Sequence, residues 1–169
     1  MEVSADDVAR LLVYCDDPSH TRDRVDPRRV SDADADNLPD DVVIVAAFER
    51  RPDLGWIVDP SSARRDGRVH DPHRNTVQYI DAAGGKIALA GMDLERQTDA
   101  LTRARALAGS AGDQQWRMGL RYWMRCPVCQ HHEVRRGGDK MHAQFDAVAA
   151  HGVSAVSLAG LNLIDRDWR

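Results

Sequence analysis

Three features of this 169-residue chain predict an α+β fold, an antiparallel sheet closed by C-terminal helices. The first is strict alternation. Trp116, Met118, Leu120, Tyr122 and Met124 point to one face of a strand, and Arg117, Arg121, Trp123 and Arg125 to the other. The second is Val42-Val43-Ile44-Val45-Ala46-Ala47-Phe48, the most β-prone run in the chain and a predicted central strand. The third is the helical spacing of Met141, Phe145, Val148 and Ala149 after Gly137-Gly138, with Asp139 expected as the cap.

Taken in order, Ser4-Ala5-Asp6-Asp7 has the form of a helix start, and the helix would end near Arg10. Leu11 to Tyr14 then reads as a short buried strand delivering Cys15. From Thr21 to Asp41 the chain is polar. Asp32, Asp34 and Asp36 share the spacing of a calcium loop, but Asn37 stands where its glycine belongs and Val43 where its glutamate belongs, so a solvated acidic loop is expected. Trp56-Ile57-Val58 is a short strand at most, and 59–75 is a loop in which His70 and His73 are surface residues. Thr76–Ile80 and Lys86–Ala90 flank Asp81-Ala82-Ala83-Gly84-Gly85, a hairpin signal. Asp93 opens a helix with Leu94, Leu101, Ala104, Leu107 and Ala108 on one side, ended by Gly109-Ser110-Ala111-Gly112. His132–Arg136 is the return strand of the late hairpin. After the turn His151-Gly152-Val153-Ser154, a second short C-terminal helix is expected over Ser157–Ile164, with a strand as the alternative.

Composition narrows the function classes. The hydrophobic share is 43%, the aromatic share 5% and the charged share 30%, which supports a thin core and makes a tie between distant segments useful. No apolar run approaches a membrane span, and the first residues lack the basic start and apolar core of a signal peptide, so a cytoplasmic protein is expected. Net charge is −4, which disfavours a general nucleic-acid coat. The charge is polarised: residues 1–60 hold fifteen acids against seven bases, while 117–169 carry a balance of +3.

The chemistry of the chain centres on Arg125-Cys126-Pro127-Val128-Cys129-Gln130, a Cys-x-x-Cys turn between two strands. Two thiolates supply half of a tetrahedral zinc site. The third and last cysteine is Cys15, followed five residues later by His20, with Pro18 between them to bend the backbone. An odd cysteine count with no secretion signal favours reduced ligand thiols over a disulfide frame. A thioredoxin-like redox pair would place the motif at a helix N-terminus, whereas here a polar return strand follows. The expected cofactor is therefore a structural Zn2+ held by Cys15, His20, Cys126 and Cys129, with His131 and His132 as rival fourth ligands. His20 and Cys126 are 106 positions apart. A loop about six times longer than in ordinary ribbons costs only about 1.6 kcal/mol more to close. Structural zinc contributes about 10–16 kcal/mol in small peptides.

Two knuckles sharing one ion resemble a zinc ribbon. Cys126 and Cys129 match its second knuckle, while Cys15 and His20 depart from the usual Cys-x-x-Cys of the first. The ends of the chain also look like small zinc-knuckle proteins of unassigned function from actinobacteria and their phages. The resemblance implies a zinc-ribbon-type knuckle in a single domain, 1–169, with 21–115 inserted between the two knuckles; it implies no activity.

Three function classes follow. A non-catalytic module contacting nucleic acid would use Arg117, Arg121, Trp123 and Arg125, joined by Arg135, Arg136 and Lys140, because guanidinium pairs with phosphate and Trp stacks on bases. The bland reading of the same residues is a solvated strand face whose arginine stems cover Trp123. A helix after Gly152 would complete a helix-turn-helix, but Ala155–Leu163 is poor in base-reading side chains. A protein-interaction module would instead engage a basic partner through the acidic loop Asp32 to Asp41. A metal-dependent hydrolase or nuclease needs an open metal position and a base, for which Glu133, His131 and His132 are the local candidates. The chain lacks His-Glu-x-x-His, and the expected site is filled, so the non-catalytic binding module is preferred.

Overall fold

A computed structural model describes residues 10–18, 43–51, 54–59, 76–80, 86–89, 92–108, 119–126 and 131–167. Within them lie eight strands: β1 (Arg10–Cys15), β2 (Val43–Arg51), β3 (Gly55–Asp59), β4 (Thr76–Ile80), β5 (Lys86–Ala88), β6 (Leu120–Arg125), β7 (Glu133–Gly137) and β8 (Ala155–Ser157). Three helices accompany them: α1 (Leu94–Ala108), α2 (Gly138–Ala150) and α3 (Leu158–Asp167). The fold is thus mixed α and β. Its strands form two sheets, ordered β3-β2-β1-β8 and β5-β4-β6-β7. All neighbours are antiparallel except β1 and β8, which run parallel. Among the described residues no helix is long and apolar enough to cross a membrane.

The first sheet is buried on both faces. Leu11, Val13 and Cys15 enter the main core, while Leu12 packs with Ile44 and Ala47 on the other side. Such two-sided burial explains why β1 reads as a continuous apolar run rather than an alternation. The β1–β2 register slips between Val13 and Tyr14, an irregularity of the bulge kind that twists a strand locally.

In the second sheet, β6 and β7 bury one face. Leu120, Tyr122, Met124 and Cys126 are all at most 2% exposed, and Val134 on β7 faces Met124 across the ladder. The expected alternation holds over these residues; Trp116, Arg117 and Met118 lie outside the described residues. Helix α2 covers this face and also reaches β3.

An aromatic cluster joins the two sheets. Phe145 of α2 has ring centroids 4.9 Å from Phe48, 5.7 Å from Trp56 and 6.4 Å from Tyr122, in tilted or edge-on geometry. Edge-on aromatic pairs contribute about 0.5–1.5 kcal/mol each beyond their buried area. Four of the nine aromatic residues, both phenylalanines among them, meet where β2, β3, β6 and α2 converge.

Helix termini refine several sequence expectations. Asp93 caps α1, its Oδ1 accepting from the Arg96 N–H at 2.8 Å. Asp139 does not cap α2: the cap is Gly137, with no side-chain hydrogen bond, and Asp139 falls in the first turn, where its charge suits the helix dipole. The C-terminus of α2 is a Schellman turn. Gly152 (φ 72°) donates to the Ala149 carbonyl and Val153 to the Val148 carbonyl. The segment after that turn departs from expectation, since Ala155–Ser157 forms β8 against Leu12, Val13 and Tyr14 before α3 begins. The Ser157 hydroxyl caps α3 by accepting the Gly160 N–H at 2.9 Å. A strand directly after the turn removes the helix-turn-helix arrangement. The helix start expected at Ser4, the loop around Asp32 to Asp41 and the loop holding His70 and His73 lie outside the described residues.

Candidate metal-clasp and basic-face sites

Strand β1 ends at Cys15 and hairpin β6–β7 begins its turn at Cys126. Both cysteines are buried, at 1% and 0% exposure, and both belong to the main core. The hairpin ladder runs to Arg125↔Glu133, and beyond it the Cys126 N–H donates to the His132 carbonyl at 3.3 Å. Residues opposite one another on antiparallel strands share a face, with Cβ atoms about 4.5–5.5 Å apart. His132 therefore stands beside Cys126 on the inner side of the hairpin.

Asp17, two residues after Cys15, reaches this point from the other segment. Its Oδ2 accepts from His132 Nε2 at 2.9 Å and lies 3.5 Å from His131 Nδ1, a contact spanning 115 positions between Asp17 and His132. The Asp17 side chain is 15% exposed and that of His132 30%, so the pair is only partly shielded from solvent. Neutral His132 that donates from Nε2 carries its lone pair on Nδ1. Of the four expected ligands, Cys15 lies two residues before Asp17 in the chain and Cys126 donates its N–H to His132; His20 and Cys129 lie outside the described residues. Among the described residues no group of three or more His, Cys, Asp or Glu side chains is arranged to hold a metal ion.

The outer face of the hairpin carries Arg121, Trp123, Arg125, Glu133 and Arg135. Trp123 and Arg135 are cross-strand partners, and the Arg135 guanidinium lies 4.5 Å from the indole centroid. Glu133 Oε1 accepts both from Trp123 Nε1 and, at 2.6 Å, from Arg135 Nε. The Arg135 hydrogen bond holds the Glu133 carboxyl below the usual range against the opposing effect of burial, helped by Trp123 and by the charges of Arg135 and Arg125. Trp123 is thus covered by its neighbour, as the bland reading of this face requires. Arg136 points the other way and donates to Asn162 Oδ1 of α3 at 3.0 Å. Arg121 and Arg135 are exposed, Arg125 and Lys140 half-buried, and Arg117 lies outside the described residues.

Glu133 also bears on the hydrolase reading. Alternation puts its carboxylate on the opposite face from Cys126 and His132, and two donors already occupy it. It is poorly placed to serve an ion on the inner side.

A buried polar network escaped sequence reasoning. Tyr122 Oη donates to the Trp56 carbonyl and lies 2.6 Å from His142 Nε2. A hydroxyl has one proton, so with that proton on Trp56 the His142 Nε2 must be the donor in the second bond. His142 and Tyr122 are at most 2% exposed. Gly55 (φ 79°) permits the arrangement, because a Cβ there would come within 2.2 Å of the His142 ring. Trp56 Nε1 also donates to Asp146 Oδ1 at 2.9 Å, tying β3 to α2 a second time. His142 lies one position outside the apolar stripe of α2, and nothing local distinguishes it from a surface histidine.

Comparison with family models, curated proteins and solved structures gave no match for this chain.

Proposed function

We propose that this protein is a non-catalytic binding module whose two remote knuckle segments are clasped by a structural Zn2+ through Cys15, His20, Cys126 and Cys129. The observation that carries the reading is the Asp17–His132 contact, which joins the segments bearing Cys15 and Cys126 although 115 positions separate its partners. Cys15 and Cys126 are both buried, and a buried thiolate suits a soft ion screened from water. The zinc-ribbon-type knuckle belongs to this proposal, as does a single 1–169 domain in a reducing, cytoplasmic setting.

The surface proposed for partner contact is the outer face of β6–β7, and the partner is nucleic acid bound through phosphates. Arg121 and Arg135 supply exposed guanidinium groups there. The cover over Trp123 favours backbone contact over base stacking. The position of Glu133 favours a binding role over hydrolysis.

Elemental analysis of the purified protein tests the clasp. One zinc per chain is expected, lost in both Cys15→Ser and Cys126→Ser; metal-free wild-type protein purified without chelator overturns it. A salt titration of DNA and RNA binding tests the face. Replacing Arg121 and Arg135 should each lower the slope of log K against log salt by about 1. Binding that is insensitive to salt removes phosphate recognition.

A further inference from the structure

We propose that the Glu133 carboxylate is an internal occupant of the anion position on the outer face of β6–β7, the group that an incoming phosphodiester displaces. The proposal rests on the phosphate reading above and names what regulates that same face. A single oxygen defines the position. Glu133 Oε1 accepts from the Trp123 indole N–H on β6 and from the Arg135 Nε–H on β7, and Arg125 stands opposite Glu133 in the register. Two N–H donors converging on one oxygen, with cationic groups on both strands, are also what a phosphate oxygen requires.

Glu133 can give up this position without disturbing the hairpin. Its main chain is anchored independently, since the Asn162 amide donates to the Glu133 carbonyl at 3.2 Å and the next residue, Val134, is fully buried. Rotation of one side chain is therefore enough. The Glu133 side chain is 37% exposed and that of Arg135 69%, so the pair is open to water. An ion pair this exposed does little to hold an arginine in place. What it does do is take up two donors, which a phosphate reaches only after the carboxylate has left. Competition thus outweighs positioning. The Arg135 hydrogen bond keeps the carboxyl below the usual range, so the occupant is an anion at neutral pH and its two bonds are charge-assisted.

Fluorescence anisotropy with a labelled single-stranded DNA oligonucleotide and its matching duplex, across a salt series, tests the occupant. Glu133→Gln keeps the shape of the side chain and removes the charge from the bonds that the ligand has to replace. It is expected to tighten binding about 5-fold at low salt, the difference between a charged and a neutral hydrogen bond. In an Arg135→Ala background most of that gain should vanish, because the main partner of the carboxylate is gone; simple repulsion by a nearby charge would persist there. Glu133→Gln affinity at or below that of a wild type that binds with a steep salt slope overturns the occupant and leaves phosphate recognition standing. An equal gain in both backgrounds makes Glu133 a background charge and also overturns the occupant. Salt-insensitive binding, or none, by wild type and Glu133→Gln alike overturns phosphate recognition, and the occupant with it.

Discussion

At the Tyr122 hydroxyl, one oxygen serves two buried partners, the Trp56 carbonyl and His142. Tyr122→Phe leaves both without that partner. Unsatisfied buried groups cost about 1–3 kcal/mol, so the urea midpoint should fall with an unchanged m-value. Gln144 presents the opposite case. Its side chain is fully buried and neither amide atom has a hydrogen-bond partner among the described residues. Gln144→Met keeps the length and removes the unsatisfied dipole, and should stabilise by about 1 kcal/mol in the same assay. Glu133 gives a pH test. Its folded-state carboxyl is lowered by Arg135, so its contribution is present above the ordinary glutamate range and disappears as pH falls through the folded value. Stability curves of wild type and Glu133→Gln should converge at acid pH and separate toward neutrality, by a small amount because the group is solvent-exposed. Neither Gln144 nor His142 announces itself in the sequence. A lone Gln or His beside an apolar stripe carries no signal of burial, because burial here comes from the neighbouring sheet.

Elements with long-range periodicity were legible, and short ones were not. Leu120, Tyr122 and Met124 alternate cleanly because one face of their sheet is dry, and Leu101 and Ala104 of α1 are buried as their spacing implies. Strand β8 has three residues, too few for a period-2 pattern, and its Ala-Val-Ser reads equally well as the start of the following helix. What decides its conformation is β1, whose Leu12 N–H donates to the Ser154 carbonyl at 2.9 Å and whose outer edge needs a partner. The boundary between β8 and α3 then depends on the Ser157 cap. Ser157→Ala should cost about 0.5–2 kcal/mol, measured by thermal or chemical unfolding. Gly137, by contrast, caps α2 from an extended backbone (φ −65°, ψ 154°) that any residue accepts. A Cβ there meets only Arg121 Nη1 at 3.8 Å, so Gly137→Ser should gain about 0.5–1 kcal/mol.

Across the whole molecule, the segments carrying the predicted ligands meet, but by a route the residue pattern did not supply. The thiols stood out because cysteine is rare in this chain and Cys-x-x-Cys has a fixed chemistry. The pairing of His132 with Asp17 did not, since an acid and a histidine 115 positions apart share no local signature. All four ligands stay expectations, and His20 and Cys129 lie outside the described residues. Helix α3 adds another long-range tie: Asn162 accepts from Arg136 at 3.0 Å and donates to the Glu133 carbonyl at 3.2 Å, so it covers part of β7, an end strand of its sheet.

The parallel partnership of β1 and β8 has a consequence for biosynthesis. Leu12 pairs with Ala155, so one flank of an almost wholly apolar strand waits for 143 further positions before its complement leaves the ribosome. During that interval β2 can zip onto the opposite flank, while the waiting flank presents bare amides and carbonyls to other nascent chains. Truncated polypeptides that stop short of Ala155 should accordingly be sticky, and their rescue by a supplied C-terminal peptide would report the moment at which the first sheet is sealed.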